Sequence, residues 1–260
     1  MKNESAAVPD TVRRKRTDEI VDAIKDAIIR DNLQPGDRLP QEKDLATRFA
    51  AGKGTVREAL KSLEVQGLIR MRTGPGGGAF IEPMSEARAM SLLSNYLFTR
   101  ELSIANIYAL RKTLEPLVAV SAIGRIDADG FARLHQLIAI YDHEPADDNE
   151  RWEQRMAELD FHGVVASYSD NVLLAFICRF LQRLLKELAV CKDIYQRPEP
   201  VARATGIDYQ YRLIEAMRRK DASAVEAIMR QHMQHAEDAM LQLEAALEER
   251  FLNDRTPTPY

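Results

Sequence analysis

The order of elements predicted within residues 39–82 constrains this chain most. A short helix with Pro40 at its first position is followed by the tight turn Ala50–Gly52, then by a second helix from Lys53 to Gln66. Gly67 is placed to end that helix. Two short apolar strands then flank a glycine-rich loop. Two helices joined by a tight turn and followed by a β-hairpin predict a winged helix-turn-helix.

A further amphipathic helix is predicted before this unit. Its apolar positions repeat with helical spacing at Ile20, Ile24 and Ile28. The segment 1–16 carries several lysines and arginines, and we expect it to form a flexible basic arm. The winged helix-turn-helix domain is therefore predicted to span residues 17–83.

The use of glycine changes near Pro83. Eight of the twelve glycines lie before residue 79, and the rest of the chain has helical periodicity with short polar connections. The predicted helices cover 103–124, 127–141, 148–168, 171–190, 201–219 and 222–252. The predicted fold class is mostly α, with an antiparallel all-α helical bundle at 84–252 and a frayed tail at 253–260.

Several protein classes are disfavoured by composition. The longest apolar run, Val172 to Cys178, is far shorter than the roughly 18 residues of a membrane-spanning helix. The first residues lack the apolar region of a signal peptide. Cys178 and Cys191 are the only cysteines, and they form no C-x-x-C pair, so neither a disulfide scaffold nor a zinc finger is expected. These features predict a cytoplasmic protein without a membrane partner.

The charge distribution favours a polyanionic ligand in one region. The net charge is −4, but residues 48–74 carry six basic side chains and only two acidic ones. A solvated charged surface is the alternative explanation of such a cluster. Lys53, Thr55 and Arg57 lie in the first turn of the second helix, where they can contact base edges in a major groove. The loop 73–78 has no large side chains and can approach a DNA backbone.

The same loop also matches a dinucleotide-binding pattern. Residues Gly74 to Ala79 fit G-x-G-x-x-A. That pattern binds pyrophosphate only if a helix begins directly after the glycines. The residues that follow, Phe80 to Pro83, instead have the character of a strand and a break. We therefore do not expect a nucleotide cofactor here.

Three segments of the N-terminal part resemble the GntR family of bacterial repressors. They are DRLPQEKDLATRF, TVREALKSLEVQGLI and the glycine loop with AFI. The resemblance implies a homodimer on a palindromic operator in double-stranded DNA. It places DNA contacts at Lys43, Lys53, Thr55, Arg57 and Gly74. The family usually has Ser-Arg in the turn where this chain has Gly52-Lys53, and lysine lacks the bidentate fork of arginine.

Polar residues on apolar helix faces indicate a site in the C-terminal half. Arg111 lies on an apolar stripe, where a charge is costly unless it is paired. It could pair with a structural carboxylate such as Glu115, or it could face a polar cavity and bind an anion. Glu158 and His162 lie on one helix face, and His232 interrupts another apolar stripe. A histidine in such a stripe is also compatible with a hydrogen-bonded core position.

This half resembles the FCD effector domain of the FadR branch of the same family. The matching residues are Arg111-x-x-Leu114-Glu115-Pro116, Phe161-His162 with Asn171, Ile214-Glu215-Ala216-Met217 with Asp221, and His232. The resemblance implies a helical bundle around a pocket that often holds a divalent metal such as Zn or Ni. The four ligand positions fall on Glu158, His162, Gln210 and His232. An amide oxygen suits neither metal well, so the metal site is expected to be weakened.

The alternative is a metal-free pocket. In that case Arg111, His162, Gln210 and His232 would hydrogen-bond an organic acid directly. Either way, the resemblance implies a cytoplasmic DNA-binding transcription regulator, a repressor rather than an enzyme. Its operator affinity would be controlled by a small carboxylate-type effector. Two other functions stay open on the sequence: a helical metalloenzyme fused to a DNA-binding head, and an architectural DNA-binding protein that senses no ligand.

Overall fold

The computed structural model describes residues 10–97, 99–197 and 200–253. The chain divides into two compact units, and the division lies between Ser91 and Leu92. Each unit has a hydrophobic core of its own, which is consistent with the change in predicted secondary structure along the sequence.

The first unit combines helices with a single hairpin. Its elements are α1 (Asp10–Arg30), α2 (Glu42–Arg48), α3 (Lys53–Gln66), β1 (Ile69–Arg72) and β2 (Gly78–Ile81). Gly67 ends α3 in the left-handed conformation at φ +80°, as predicted, because glycine adopts positive φ without steric cost. The two strands pair antiparallel, with Ile69 opposite Ile81 and Arg72 opposite Gly78.

The core of the first unit forms where α1 packs across α3. The buried side chains come from α1, α2, α3 and the hairpin, and they include Ile20, Ile24, Leu45, Val56, Leu60, Leu63, Ile69 and Ile81. Because these apolar positions face inward, the polar side of α3 is left at the surface.

The second unit consists of helices. They are α5 (Ile104–Ser121), α6 (Ala128–Tyr141), α7 (Asp148–Ser167), α8 (Val172–Glu187), α9 (Ala189–Tyr195), α10 (Pro200–Arg218) and α11 (Ala222–Asn253), and the division between the two units falls inside α4 (Glu86–Leu97). Ser103 caps α5 in a reciprocal capping box with Asn106, and the Asp127 side chain accepts a hydrogen bond from the Gly130 amide at the start of α6. The predicted fold class is confirmed. No helix within the described ranges is long and apolar enough to cross a membrane.

Four local expectations differ from the structure. Pro40 is not the first residue of α2, because Leu39 donates a backbone hydrogen bond to Ala79 and this segment joins the sheet edge. The helix predicted at 171–190 is two helices, since Leu188 is extended at ψ 129° between α8 and α9. The sequence reading missed α4. Helix α1 begins at Asp10, inside the segment expected to be a flexible arm.

Two parts of the expected chain organisation fall largely outside the described residues. The first nine residues of the expected arm are not described. Of the tail expected at 253–260, only Asn253 is described, and it belongs to α11. The predicted domain boundary near Pro83 stays a prediction, and the division into compact units lies a few residues later.

Candidate functional site

The first turn of α3 presents polar side chains to solvent. Lys53 and Arg57 are exposed and Thr55 is half-buried, whereas Val56 between them is buried in the core. This follows from the helical period, which turns one side of α3 inward and the other outward. Lys53 and Arg57, four positions apart, therefore lie on the same accessible side of α3, whereas Thr55, two positions from each, lies about half a turn away.

The two remaining predicted DNA contacts lie on neighbouring elements of the same unit. Lys43 is exposed on α2. Gly74, at φ +89°, lies in the loop between β1 and β2, where its carbonyl accepts a hydrogen bond from the Gly77 amide. Apart from Gly74 itself and its two chain neighbours, none of the described residues comes within 4 Å of the position that a Cβ of Gly74 would occupy. The loop thus exposes bare backbone that a large partner can approach closely. β2 follows the glycines, so the dinucleotide pattern has no helix N-terminus behind it.

An ion pair joins α2 to α3 on this surface, and the sequence reading missed it. The Arg57 guanidinium donates through Nε and Nη2 to the two carboxylate oxygens of Glu42, at 3.2 and 2.9 Å. This hydrogen-bonded pair lowers the pKa of Glu42. The carboxylate therefore fixes the orientation of the exposed Arg57 side chain.

Two further arginines lie beside the hairpin. The Arg72 guanidinium lies 4.4 Å from the centre of the Phe80 ring, and that of Arg38 lies 5.9 Å from it. Arg38 also donates to the Gly77 carbonyl. These contacts stiffen the hairpin and leave two cations on its surface. The cluster of Arg38 and Arg72 around Phe80 could not be predicted from the sequence, because the three residues come together only in the folded unit.

The second unit contains a cavity of about 360 Å³. It lies among α5, α7, α9, α10 and α11. Its lining among the described residues comprises Tyr108, Arg111, Arg155, Glu158, Leu159, His162, Tyr195, Thr205, Gly206, Tyr209, His232, Met233, His235, Ala236, Asp238, Ala239, Met240, Gln242 and Leu243. A volume of this size suits a small organic ligand.

Arg111 reaches this cavity from α5 and is only 2% exposed to solvent. Its Nε atom donates to Oε1 of Glu115 at 2.5 Å, and its guanidinium lies 4.9 Å from the centre of the Tyr108 ring. Burial opposes the charged form, but the adjacent Glu115 carboxylate outweighs burial and raises the pKa of Arg111. The hydrogen bond to Glu115 therefore uses Nε and neither terminal nitrogen of the guanidinium.

Glu115 connects Arg111 to His162. Its second oxygen lies 2.6 Å from Nδ1 of His162, which is close enough for an ion pair, although neither atom has a hydrogen-bond partner of normal geometry. Burial opposes ionisation of Glu115, but the adjacent Arg111 and His162 lower its pKa to about 2. One buried carboxylate therefore orients two of the predicted ligand-binding side chains. The sequence reading considered it only as a structural partner of Arg111.

His162 and His232 face each other across the buried end of the cavity. Their Nε2 atoms lie 3.3 Å apart, whereas the ring centres are 5.2 Å apart, so the two nitrogen edges are turned toward each other. Burial and the neighbouring His162 lower the pKa of His232 to about 3. His232 is therefore neutral at physiological pH and can accept or donate one hydrogen bond at each nitrogen according to its tautomer.

Glu158 and Gln210 occupy different positions relative to this pair. Glu158 lines the cavity and accepts a hydrogen bond from Arg155 at 2.8 Å. Gln210 is fully buried, its Oε1 accepts a hydrogen bond from the Tyr141 hydroxyl, and it is not among the described lining residues. The fold thus brings Arg111, His162 and His232 together at the cavity and places Gln210 behind it.

These residues do not provide a complete metal site. No group of three or more histidine, cysteine, aspartate or glutamate side chains is arranged around a common point within the part of the chain described. Glu158 is engaged by Arg155, and the buried Nε2 of Gln210 is a donor without a partner, which suits an acceptor and not a cation. The two facing imidazoles are the metal-type ligands that remain.

Comparison with known proteins identifies both halves of the chain. Residues 16–81 match the family model described as bacterial regulatory proteins, gntR family, and residues 106–235 match the FCD domain. The HTH-type transcriptional regulator LutR of Bacillus subtilis is 27% identical over 210 residues, which cover 80% of this chain and 93% of LutR. The galactonate operon transcriptional repressor of Escherichia coli is 26% identical, with 81% of this chain and 90% of the repressor covered.

A solved structure supports the same fold. The Streptococcus agalactiae GntR structure superimposes with a TM-score of 0.57 at 21% identity and covers 86% of this chain and 99% of its own.

Proposed function

The chain belongs to the GntR family of bacterial regulatory proteins and carries an FCD domain, and from this we propose that it is a repressor released from its operator by a small carboxylate. Its relatives are named as transcriptional regulators and repressors. The proposal places the protein in the cytoplasm, where a bacterial operator lies. It assigns the protein no catalytic step.

The DNA-reading part of the proposal rests on the exposed polar side of α3. Lys53 and Arg57 are proposed to donate to guanine, and Thr55 to contact a base edge or a thymine methyl group. Lys43 and the backbone at Gly74 are proposed to lie against neighbouring bases or the DNA backbone. A homodimer would place two such helices on the half-sites of a palindrome.

One observation carries the effector part of the proposal: Arg111 is buried at the cavity with its Nε edge fixed by Glu115. The terminal nitrogens of a guanidinium form two parallel hydrogen bonds to a carboxylate. His162 and His232 lie at the same end and would complete the polar contacts. Gln210 is proposed to act indirectly, by holding Tyr141 behind this wall.

The coupling between the two domains is thermodynamic linkage. A ligand that binds one arrangement of the DNA-binding heads more tightly than another shifts operator affinity by that difference in affinity.

A resident metal is left out of the proposal because the donor set is incomplete. We expect elemental analysis of the purified protein to give less than one equivalent of Zn or Ni per chain. A full equivalent of tightly held metal would contradict this expectation.

The test is the substitution Arg111→Lys. Lysine keeps the charge but cannot form the bidentate contact. A panel of carboxylic acids is first screened by thermal shift, since a ligand of the native state raises the melting temperature. The variant should keep operator binding and lose roughly 10- to 150-fold in affinity for the acid that binds.

The matched control is Arg230→Lys in an exposed pair with Glu226. Unchanged acid affinity in a destabilised Arg111→Lys protein would assign Arg111 a structural role only.

A further inference from the structure

The cavity wall has two chemically different parts. The polar part holds Arg111, His162 and His232. An apolar part comes from α11, where the lining residues Met233, Ala236, Met240 and Leu243 are spaced by three or four positions and form a strip about three turns long. Beside this strip α11 also contributes His235, Asp238 and Gln242 to the lining.

The rest of the wall continues this apolar character with aromatic rings. Tyr108, Tyr195 and Tyr209 line the cavity and are largely buried, and Leu159 packs among the same lining residues. The Tyr209 hydroxyl is already hydrogen-bonded to Nδ1 of His235 at 2.8 Å. The Tyr209 hydroxyl is therefore already engaged, and all three side chains contribute ring surface to the wall. Methionine sulfur and aromatic rings both make favourable contacts with an aromatic ligand.

Several polar groups of the wall are already paired with one another. Arg155 donates to Glu158, the Tyr209 hydroxyl is hydrogen-bonded to His235, and the Nε2 atoms of His162 and His232 face each other. An acid with four or five hydroxyl groups would have to compete with these pairs for its partners, which weakens its binding.

The charges of the wall also limit the number of carboxylates. The Arg155 guanidinium is paired with Glu158, and the carboxylate of Asp238 lies near the exposed rim. These carboxylates would repel a second negative group on the ligand. Arg111 pairs with Glu115 through Nε, whereas Arg155 already uses a terminal nitrogen for its pair with Glu158.

We propose that the effector is a monocarboxylate with a compact apolar body about the size of one aromatic ring. The inference rests on the proposed function, because Arg111 holds the carboxylate and the α11 face with the tyrosines holds the ring. A cavity of about 360 Å³ accommodates a ligand of this size. A polyhydroxylated acid of the same charge should bind more weakly, because its hydroxyl groups would compete with the internal pairs of the wall.

The experiment compares two probes of equal charge, sodium phenylacetate and sodium D-gluconate. Isothermal titration calorimetry of the full-length protein is expected to give at least tenfold tighter binding of phenylacetate, with a more negative heat-capacity change because apolar surface is buried. Titrations are run with and without added Zn²⁺. Trp152, whose ring lies 6.1 Å from that of Tyr195, provides an independent fluorescence signal of occupancy.

Two variants test the apolar wall. Met240→Gln keeps the length of the side chain and makes it polar, so phenylacetate should bind at least fivefold more weakly. The control Met156→Gln changes a partly buried methionine of α7 outside the cavity lining and should leave the affinity unchanged. Ala239→Leu narrows the cavity from a partly buried position and gives a second test if Met240→Gln unfolds the protein.

The outcomes separate the two claims. Tighter binding of gluconate than of phenylacetate would overturn the inference and leave the proposed function intact. Unchanged phenylacetate affinity in both Met240→Gln and Ala239→Leu would also overturn it. Failure of both acids to bind, with or without Zn²⁺, would overturn the proposed carboxylate effector and the inference together.

Discussion

At the scale of single residues, Glu115 determines the chemistry of the cavity. Its two oxygens orient the guanidinium of Arg111 and the imidazole of His162, and all three side chains are almost completely buried. Burying charges is costly, and the arrangement persists only because each charge has a close partner of opposite sign. The site is therefore preorganised before a ligand arrives, which lowers the cost of binding.

We predict that Glu115→Gln strongly destabilises the second unit. The substitution leaves Arg111 as a buried charge without a counterion, and loss of one partner of a buried pair costs about 3–5 kcal/mol. Denaturant unfolding at pH 7 measures the loss. The control Glu226→Gln breaks an exposed pair with Arg230 and should change the free energy of unfolding by less than about 0.5 kcal/mol. Equal effects of the two substitutions would show that the buried pair contributes little.

His232 gives the protein a predicted sensitivity to acid. Its pKa is about 3 in the folded protein, whereas an unfolded histidine titrates near pH 6.5. The unfolded state therefore binds the proton first, and the free energy of unfolding should fall as the pH falls from about 6.5 toward 3. His232→Gln should remove about 2 kcal/mol of this loss at pH 5. Unfolding curves at pH 7 and pH 5 test it, with the exposed His143→Gln as a contrasting control: Glu150 and Asp142 raise the pKa of His143, so loss of this histidine should not reduce the loss of stability at pH 5.

At the scale of elements, the α2–α3 pair combines a rigid interior with an exposed reading surface. Leu45, Val56 and Leu60 fix the two helices in the core, so their outward residues keep a defined spacing. The Glu42–Arg57 pair adds a polar link between them on the exposed side. A side chain held in this way loses less conformational entropy on contacting a base.

The first element-scale prediction concerns direct DNA contacts. Lys53→Ala and Arg57→Ala should each weaken specific operator binding by about 1–3 kcal/mol per half-site without unfolding the domain. Operator binding is measured by fluorescence anisotropy on a duplex selected in vitro from random sequence. Lys25→Ala on α1 serves as the control for loss of one positive charge. Wild-type operator affinity in both α3 variants would show that α3 does not contact the bases of the operator.

The second element-scale prediction separates charge from positioning. Glu42→Gln removes a negative charge near DNA and frees Arg57, so affinity for random DNA should rise roughly three- to tenfold while sequence discrimination falls. Asp44→Asn removes an exposed charge from the same helix and should raise random-DNA affinity with discrimination preserved. If both variants keep full discrimination, Glu42 does not position Arg57.

At the scale of the whole molecule, DNA binding and effector binding are expected to be reciprocal. If phenylacetate weakens operator affinity by some factor, operator DNA must weaken phenylacetate affinity by the same factor. We expect a factor of roughly 5 to 150, the usual range of coupling free energies. Calorimetric titration of phenylacetate with and without the selected duplex measures one side of this cycle, and anisotropy measures the other. Phenylacetate binding that leaves operator affinity unchanged would show that this acid is not the effector.

Local signals were sufficient to predict most of the fold. Helical periodicity, the stop at Gly67 and the caps at Ser103 and Asp127 depend on residues close together in the chain. The predictions at Pro40 and Leu188 were wrong. The segment at Pro40 pairs with the backbone of β2 and does not start α2. Leu188 is extended and separates α8 from α9, where helical periodicity predicted one continuous helix.

The sequence by itself determined the family, the two-part organisation and the importance of Arg111, because a charge in an apolar stripe needs a partner wherever the helix packs. Tertiary structure decided which partner Arg111 has, that Gln210 lies behind the cavity, and that Glu42 holds Arg57. Except for Arg111 and Glu115, these contacts join different helices, and periodicity gives the face of a helix but not its neighbour. The apolar wall of α11 is likewise visible as a stripe in the sequence, but only packing against α5, α7, α9 and α10 shows that part of it encloses a cavity instead of solid core.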